Sequence, residues 1–154
     1  MSVINICHEQ KADCIAHKIT VRQSSELCQK MSLECVETSA VALWDTGSGQ
    51  SGISKPLAKQ LGLERVLYKG KDYETKKGSA GECESYFHCI DILLPGNTII
   101  SNVTVADFID NGKFDILIGM DIITMGDFAL TNDNGNTVFS FRIPTNNKPI
   151  CFEL

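Results

Sequence analysis

Apolar and polar residues alternate over short stretches of the chain, which predicts many short β-strands rather than long helices. The segments 103–106 and 138–141 show this alternation, as expected for strands that bury one face. Turn sequences such as Pro95-Gly96-Asn97 separate these stretches. Strands are predicted over 15–21, 33–36, 40–44, 86–94, 98–107, 114–118, 128–130 and 137–143.

Two short helices are predicted between the strands. Ser54 is a typical N-cap, Pro56 suits a first helical turn, and Gly62 ends the segment. A second helix is predicted over 120–125, stopping at Gly126. With two short helices among many strands, the predicted class is mainly β.

The composition supports one packed domain. The 154-residue chain has 43% hydrophobic and 21% charged residues, so it can form a core and is not broadly disordered. Its net charge of −5 argues against a nucleic-acid partner, because phosphate binding needs clustered basic charge. No apolar run approaches the ~20 residues of a membrane span, so no membrane association is expected.

The N-terminal region is harder to interpret than the rest. It lacks the basic start and apolar run of a secretory signal, and the seven cysteines are odd in number. We therefore expect reduced thiols and a cytoplasmic location. Residues 1–26 are interpreted as an N-terminal extension or extra edge strands, and 27–154 as the main domain.

The most informative segment for chemistry is an apolar strand, 41–44, that runs directly into Asp45-Thr46-Gly47-Ser48. A lone Asp at a strand end more often serves as a turn or helix cap. Here, however, Gly47 permits a tight backbone turn, and the hydroxyls of Thr46 and Ser48 flank the carboxylate. These features favour a carboxylate held in a partly dry site by neighbouring hydrogen bonds.

A second apolar strand, 116–118, ends in Gly119 and leads into the second predicted helix. Taken alone, it fits a buried strand–helix junction, with Asp121 near the helix start, where the dipole favours negative charge. Together, the two segments resemble the retropepsin-like aspartic proteases, in which an Asp-Thr-Gly turn is followed by such an Ile-Leu-Ile-Gly segment. The resemblance implies a closed β-barrel or sandwich. The helix after Ser54 is similar to that of cellular members rather than viral ones.

The resemblance implies one catalytic aspartate, Asp45, in each chain and a site completed by a second copy. Peptide hydrolysis by this route needs two close carboxylates that share one proton. Because the sequence has a single Asp-Thr-Gly turn, a homodimer is expected. The resemblance further implies that Thr46 hydrogen-bonds across the dimer axis and that Gly47 lets the backbone approach the substrate. The Ser48 hydroxyl is expected to bond to the Asp45 carboxylate.

Retropepsin-like enzymes also close a β-hairpin, the flap, over an extended peptide. The best match is Gly78-Ser79-Ala80-Gly81, although an ordinary surface loop explains the local sequence equally well. Four nearby lysines are interpreted as a solvated face, and a bias toward acidic substrates is the alternative. These lysines are Lys69, Lys71, Lys76 and Lys77.

The overall prediction is an aspartic endopeptidase that acts on a peptide or protein substrate with water as its nucleophile, without a cofactor or metal. A catalytically silent dimerisation or peptide-binding module is the alternative, but the intact Asp45 turn disfavours it, because paired carboxylates repel each other. A metal-binding domain is a third hypothesis, although the spacing of its candidate cysteine and histidine ligands fits no common zinc motif. Its candidate ligands are Cys7, His8, Cys14 and His17.

Overall fold

The computed structural model of the chain describes residues 1–78, 81–109 and 112–151. The strands in these ranges are β1 (Ser2–Cys7), β2 (Ala16–Gln23), β3 (Glu37–Trp44), β4 (Gly52–Ser54), β5 (Tyr73–Gly78), β6 (Gly81–Leu94), β7 (Thr98–Phe108), β8 (Ile116–Ile118), β9 (Asp127–Asp133) and β10 (Asn136–Ile143). The helices are α1 (Ser25–Lys30), α2 (Lys55–Gln60) and α3 (Met120–Ile123). None of these helices has the length and apolar character needed to cross a membrane.

Six strands close into a barrel. Their order is β2-β3-β8-β4-β7-β6, and pairing of β6 with β2 closes the ring. Within it, β3 runs parallel to β8 and β4 parallel to β7, whereas the other neighbours are antiparallel. β5 continues the sheet from β6, and a separate three-stranded sheet has the order β1-β10-β9. The predicted mainly β class with a closed barrel is confirmed.

A cluster of aromatic side chains joins the two sheets. Trp44, at the end of β3, packs against Phe139 and Phe141 of β10, with ring centroids 4.9 and 4.7 Å apart. Phe128 of β9 lies against the same tryptophan at 6.1 Å. Burial of each large aromatic side chain stabilises a fold by about 2 kcal/mol, and both β10 rings are almost fully buried. The cluster therefore fixes the C-terminal end of β3.

The two predicted helices are present. Ser54 caps α2, because its hydroxyl accepts a hydrogen bond from the Leu57 amide at 3.4 Å, and Gly62 follows the helix with a φ of +60°. Glycine suits that left-handed conformation, which ends a helix without strain. The helix α3 is a single turn and stops short of the predicted end at Met125.

The helix α1 is absent from the predicted set, so the described residues contain three helices rather than two. Ser24 caps it by accepting a hydrogen bond from the Leu27 amide at 3.3 Å. Glu26 and Lys30 form an ion pair at 2.5 Å, one helical turn apart. Six residues are too few to show a periodic apolar face. The sequence signal for this helix is the capping Ser24 followed by Glu26 in the first turn.

The prediction of a strand over 33–36 is wrong. Gln23 takes up the backbone groups there: its amide donates to the Val36 carbonyl at 3.1 Å, and its side-chain oxygen accepts from the Val36 amide at 2.9 Å. Leu33 and Val36 are both exposed, so their apolar character does not mark a buried strand face. A side chain–backbone bond has replaced the expected strand pairing at this point.

Residues 1–26 contribute strands of two kinds. The strand β1 lies at the edge of the three-stranded sheet, whereas β2 lies inside the barrel between β3 and β6. Asp91 of β6 fastens this region, because its buried carboxylate accepts hydrogen bonds from Arg22 at 3.1 Å and from the Ser25 hydroxyl at 2.6 Å. Burial raises the pKa of Asp91, but the hydrogen bonds outweigh it and hold the pKa below its usual value. The position of a domain boundary stays a prediction.

A histidine of β2 bonds to the tryptophan of the aromatic cluster. His17 Nε2 accepts a hydrogen bond from Trp44 Nε1 at 2.9 Å, and Nδ1 faces the Lys18 carbonyl at 3.1 Å. Only the neutral ring with its proton on Nδ1 makes both bonds. Partial burial lowers the pKa of His17, the Lys18 bond raises it by less, and the nearby His8 lowers it again.

Acid is therefore expected to weaken the fold through His17. Because its pKa in the folded state lies below the unfolded value of about 6.5, the stabilisation is complete above that pH and is lost as the pH falls below it. Replacement of His17 by Gln keeps an acceptor for Trp44 but removes the titrating group. The variant should show a smaller loss of unfolding free energy between about pH 7 and pH 5, measured by urea denaturation. Equal pH dependence in the two proteins would contradict this.

Candidate active site

Two strand ends of the barrel lie side by side. The strands β3 and β8 pair in parallel, with Trp44 opposite Ile118, so Asp45 and Gly119 follow at the same end of the barrel. The Asp45 amide donates to the Ile118 carbonyl at 2.8 Å and extends this pairing. The two segments that the sequence singled out are far apart along the chain but meet in the structure.

The turn after β3 fixes one oxygen of the Asp45 carboxylate. The side chain is half-buried, and its Oδ1 accepts a hydrogen bond from the Gly47 amide at 2.9 Å. The Ser48 amide donates to the Asp45 carbonyl at 3.2 Å. A Cβ at position 47 would lie 3.2 Å from Oδ1, so glycine leaves room for the carboxylate. Within the described part of the chain, Oδ2 accepts no hydrogen bond.

Thr46 and Ser48 flank the carboxylate but do not bond to it. Thr46 is exposed, and its hydroxyl has no partner among residues 1–78, 81–109 and 112–151. The Ser48 hydroxyl donates to the Gln50 carbonyl at 2.7 Å. The expected hydrogen bond from the Ser48 hydroxyl to the Asp45 carboxylate is therefore not formed. This hydroxyl instead stabilises the loop that follows the turn.

Gly119 allows the second strand end to approach that loop closely. A Cβ at this position would lie 2.7 and 2.9 Å from backbone atoms of Gln50 and 3.0 Å from the Ser48 carbonyl oxygen. A side chain cannot occupy that space without moving the backbone. The Met120 amide donates to the same Ser48 carbonyl at 2.8 Å. The loop 48–50 is thus packed directly on the junction between β8 and α3.

Hydrogen bonds between Asp121 and Ser51 hold the same junction together. From the sequence, Asp121 was expected only to place a favourable charge at the start of a helix. The Asp121 carboxylate accepts hydrogen bonds from the Ser51 amide at 3.0 Å and from its hydroxyl at 2.7 Å. The buried Ser51 hydroxyl accepts in turn from the Gly119 amide at 3.0 Å. These bonds couple the Asp45 loop to α3. Local sequence carries no signal for them, because the partners come from separate segments.

The strands β5 and β6 form the hairpin in which the flap is expected. Gly78 pairs with Gly81 at its end, and the expected tip residues Ser79 and Ala80 lie outside the described residues. Gly81 has a φ of +107°, a backbone conformation that favours glycine. The hairpin is therefore located by its strands, and its role as a flap stays a prediction.

An open cavity of about 470 Å³ lies between the hairpin base and the Asp45 loop. Gly49 and Gln50 line it from the loop, and Tyr73 and Glu74 line it from β5. A β-hairpin beside an open groove can add an extended peptide by backbone pairing. The cavity is therefore the candidate binding cleft.

The cysteines and histidines of the N-terminal region share no site in the structure. Within the described ranges, no three His, Cys, Asp or Glu side chains are grouped as metal ligands would be. The seven cysteines form no disulfide, and His17 bonds to Trp44. The geometry of these residues therefore adds nothing to the metal hypothesis.

Comparison with known proteins gives similarity to solved structures. No protein-family model matches the sequence, and no curated protein matches it. The structure is similar to a crystal structure of a retropepsin-like aspartic protease from Rickettsia conorii. The TM-score is 0.48 and the sequence identity is 12%, over 90% of this chain and 92% of that chain. A similarity of this degree assigns no roles, so the functional case rests on the side chains described above.

The packing at Gly119 predicts a large difference between two glycine substitutions. Gly119→Ala should lower the unfolding free energy by at least about 2 kcal/mol, because its methyl group would collide with backbone. Gly49→Ala, on the same loop, should change it by less than about 0.5 kcal/mol, because a Cβ there meets no atom within 4 Å. Chemical denaturation measures both, and equal effects would show that the loop is not confined by this contact.

Proposed function

We propose that the chain is an aspartic endopeptidase of the retropepsin-like type. The observation that carries the proposal is the Asp45 carboxylate, which is half-buried at the end of a barrel strand and which the described residues hold on one oxygen only. The packing of Gly119 against the loop after this turn supports it, because the two segments are those on which the resemblance rests. A carboxylate so placed can bind and deprotonate a water molecule with its other oxygen.

The proposed enzyme is a homodimer. The sequence contains a single Asp-Thr-Gly turn, and this chemistry requires two carboxylates. A two-fold axis beside Asp45 would bring the two turns together. The exposed Thr46 hydroxyl, which has no partner in the described part of one chain, would then hydrogen-bond across the axis.

In the proposed reaction, the two Asp45 carboxylates share one proton and hold a water molecule between them. The ionised carboxylate takes a proton from the water, whose oxygen attacks the peptide carbonyl carbon, while the protonated carboxyl donates to the carbonyl oxygen. The tetrahedral intermediate collapses by breaking the C–N bond: the carboxyl that took the water proton donates it to the leaving nitrogen, and one hydroxyl of the intermediate returns a proton to the other carboxylate. Water is the nucleophile, so this route uses neither a metal nor a cofactor. The extended substrate would lie between the Asp45 turns and the β5–β6 hairpins.

Replacement of Asp45 by Asn tests the catalytic role directly. The amide nearly preserves size but cannot act as a base, so peptide cleavage should fall at least about a thousandfold. The matched control is Asp13→Asn, which removes an exposed carboxylate and should leave cleavage unchanged. Turnover is measured on a diverse peptide mixture by mass spectrometry. Cleavage by Asp45→Asn at the wild-type rate would remove Asp45 from the mechanism.

The wild-type protein should show a bell-shaped dependence of cleavage on pH. Two close carboxylates resist ionising together, and the active form is the pair that carries a single proton. Activity should therefore fall on the acid side when both are protonated and on the alkaline side when both are ionised. The measurement is kcat/KM across acidic to mildly alkaline pH. A profile with no alkaline decline would argue against a shared proton.

Dilution tests whether two chains build the site. If each chain supplies one carboxylate, activity per chain must decrease once the protein is diluted below the dissociation constant of the dimer. Activity assays and size measurements over the same concentration series provide the comparison. Constant activity per chain in samples that contain only monomer would rule out the half-site arrangement.

A further inference from the structure

The cavity beside the Asp45 loop carries two lysines on its wall. Lys69 and Lys71 lie on the turn before β5 and line the same space as Gln50 of the loop. The sequence grouped these two lysines with Lys76 and Lys77 as a solvated face. In the structure, the side chains around Lys69 and Lys71 differ from those around Lys76 and Lys77.

The turn that bears Lys69 and Lys71 has a tight, fixed backbone. Tyr68 and Lys71 exchange two backbone hydrogen bonds, at 2.7 and 3.1 Å. Lys69 and Gly70 between them have φ values of +50° and +77°, as two-residue hairpin turns require. The Lys69 ammonium lies 5.2 Å from the centre of the Tyr68 ring. Because the turn is already formed, binding a ligand there costs little backbone ordering.

The charges of the two lysine pairs differ in how they are balanced. Lys76 lies 3.0 Å from Glu74, and Lys77 lies 3.4 Å from another glutamate. Lys69 and Lys71, by contrast, enter no ion pair with any residue in the described ranges. Glu74 also lines the cavity, but its ion pair with Lys76 offsets its charge. The cavity wall therefore presents two positive charges without a protein counter-charge.

A hydrogen-bond donor on the opposite wall also lacks a partner. The Gln50 side-chain nitrogen is buried and makes no hydrogen bond within the described part of the chain. Gln50 also lines the cavity, and a turn of its side chain would bring this donor to an acceptor on a bound ligand. Gln50 lies two residues after Ser48, so this donor is close to the candidate turn in the chain.

We propose that this cavity is a subsite for an acidic side chain, Asp or Glu, of the peptide substrate. A carboxylate there would meet the ammonium groups of Lys69 and Lys71, and the Gln50 amide would donate to it after its side chain turns toward the cavity. The inference rests on the proposed peptide hydrolysis and names the class of substrate. Recognition would depend on charge, because the ligand would replace the counter-charge that the wall lacks.

The test compares two double variants of the full chain with the wild type. Lys69→Gln/Lys71→Gln removes the two unpaired charges, and Lys11→Gln/Lys59→Gln changes net charge equally at two other exposed lysines. Each protein receives synthetic peptides in which one Glu, or its neutral isostere Gln, is moved one position at a time, and kcat/KM is measured at low and high salt. The same peptides, labelled with fluorescein, are titrated into Asp45→Asn forms so that binding is measured without cleavage.

Wild type and the Lys11→Gln/Lys59→Gln control should favour Glu over Gln about fivefold at one peptide position, as expected for two exposed charge pairs. High salt should reduce this preference, and Lys69→Gln/Lys71→Gln should abolish it. A wild-type ratio near one, or a ratio that the Lys69→Gln/Lys71→Gln change leaves intact, overturns the acidic subsite while peptide hydrolysis stands. If no peptide is cleaved, the proposed function fails. The binding titrations then test the subsite by themselves, and equal affinity for Glu and Gln peptides overturns the acidic subsite.

Discussion

The backbone of the loop 48–50 lies directly against Gly119, so closely that even a methyl group would collide with it. This contact arises because β3 and β8 run parallel and end at the same level. Both chain segments must leave their strands through one crowded region, and bonds involving Met120 and Ser51 satisfy polar groups that the crowding buries. The conformation after Asp45 is therefore set by a contact with a distant segment as well as by the turn itself.

The surrounding fold restricts the motion of the carboxylate far more than that of the hairpin beside it. Trp44, next to Asp45 in the chain, is held by the rings of β10 and by His17. The strand β3 has hydrogen-bonded neighbours on both sides, whereas β5 pairs with β6 alone. Opening of a strand with one neighbour costs less free energy than opening of one with two. In the proposed peptidase, a fixed acid next to a less constrained hairpin would suit the binding of a long substrate and the release of its fragments.

Patterns that depend on neighbouring residues predicted seven of the ten described strands, two of the three described helices and the Asp45 turn, whereas β1, β4 and β5 were not predicted. The helix α1 had a local signal that was missed, but several other misjudged features depend on partners in separate segments of the chain. The segment 33–36 has the composition of a strand, but the Gln23 side chain takes up its backbone groups. The bonds between Asp121 and Ser51 are another example, because neither residue identifies the other in the sequence. The two lysine pairs differ for a local reason, because Lys76 and Lys77 lie close to glutamates of the same hairpin.

The position of β2 limits how much of the N-terminal region the fold can lose. The strand forms part of the barrel wall between β3 and β6. A cut after Gln23 that released this strand would leave two open sheet edges, which invite aggregation. Loss of β1 would in addition expose one side of β10. Removal of residues 1–23 is therefore expected to open the barrel rather than to leave a smaller folded domain.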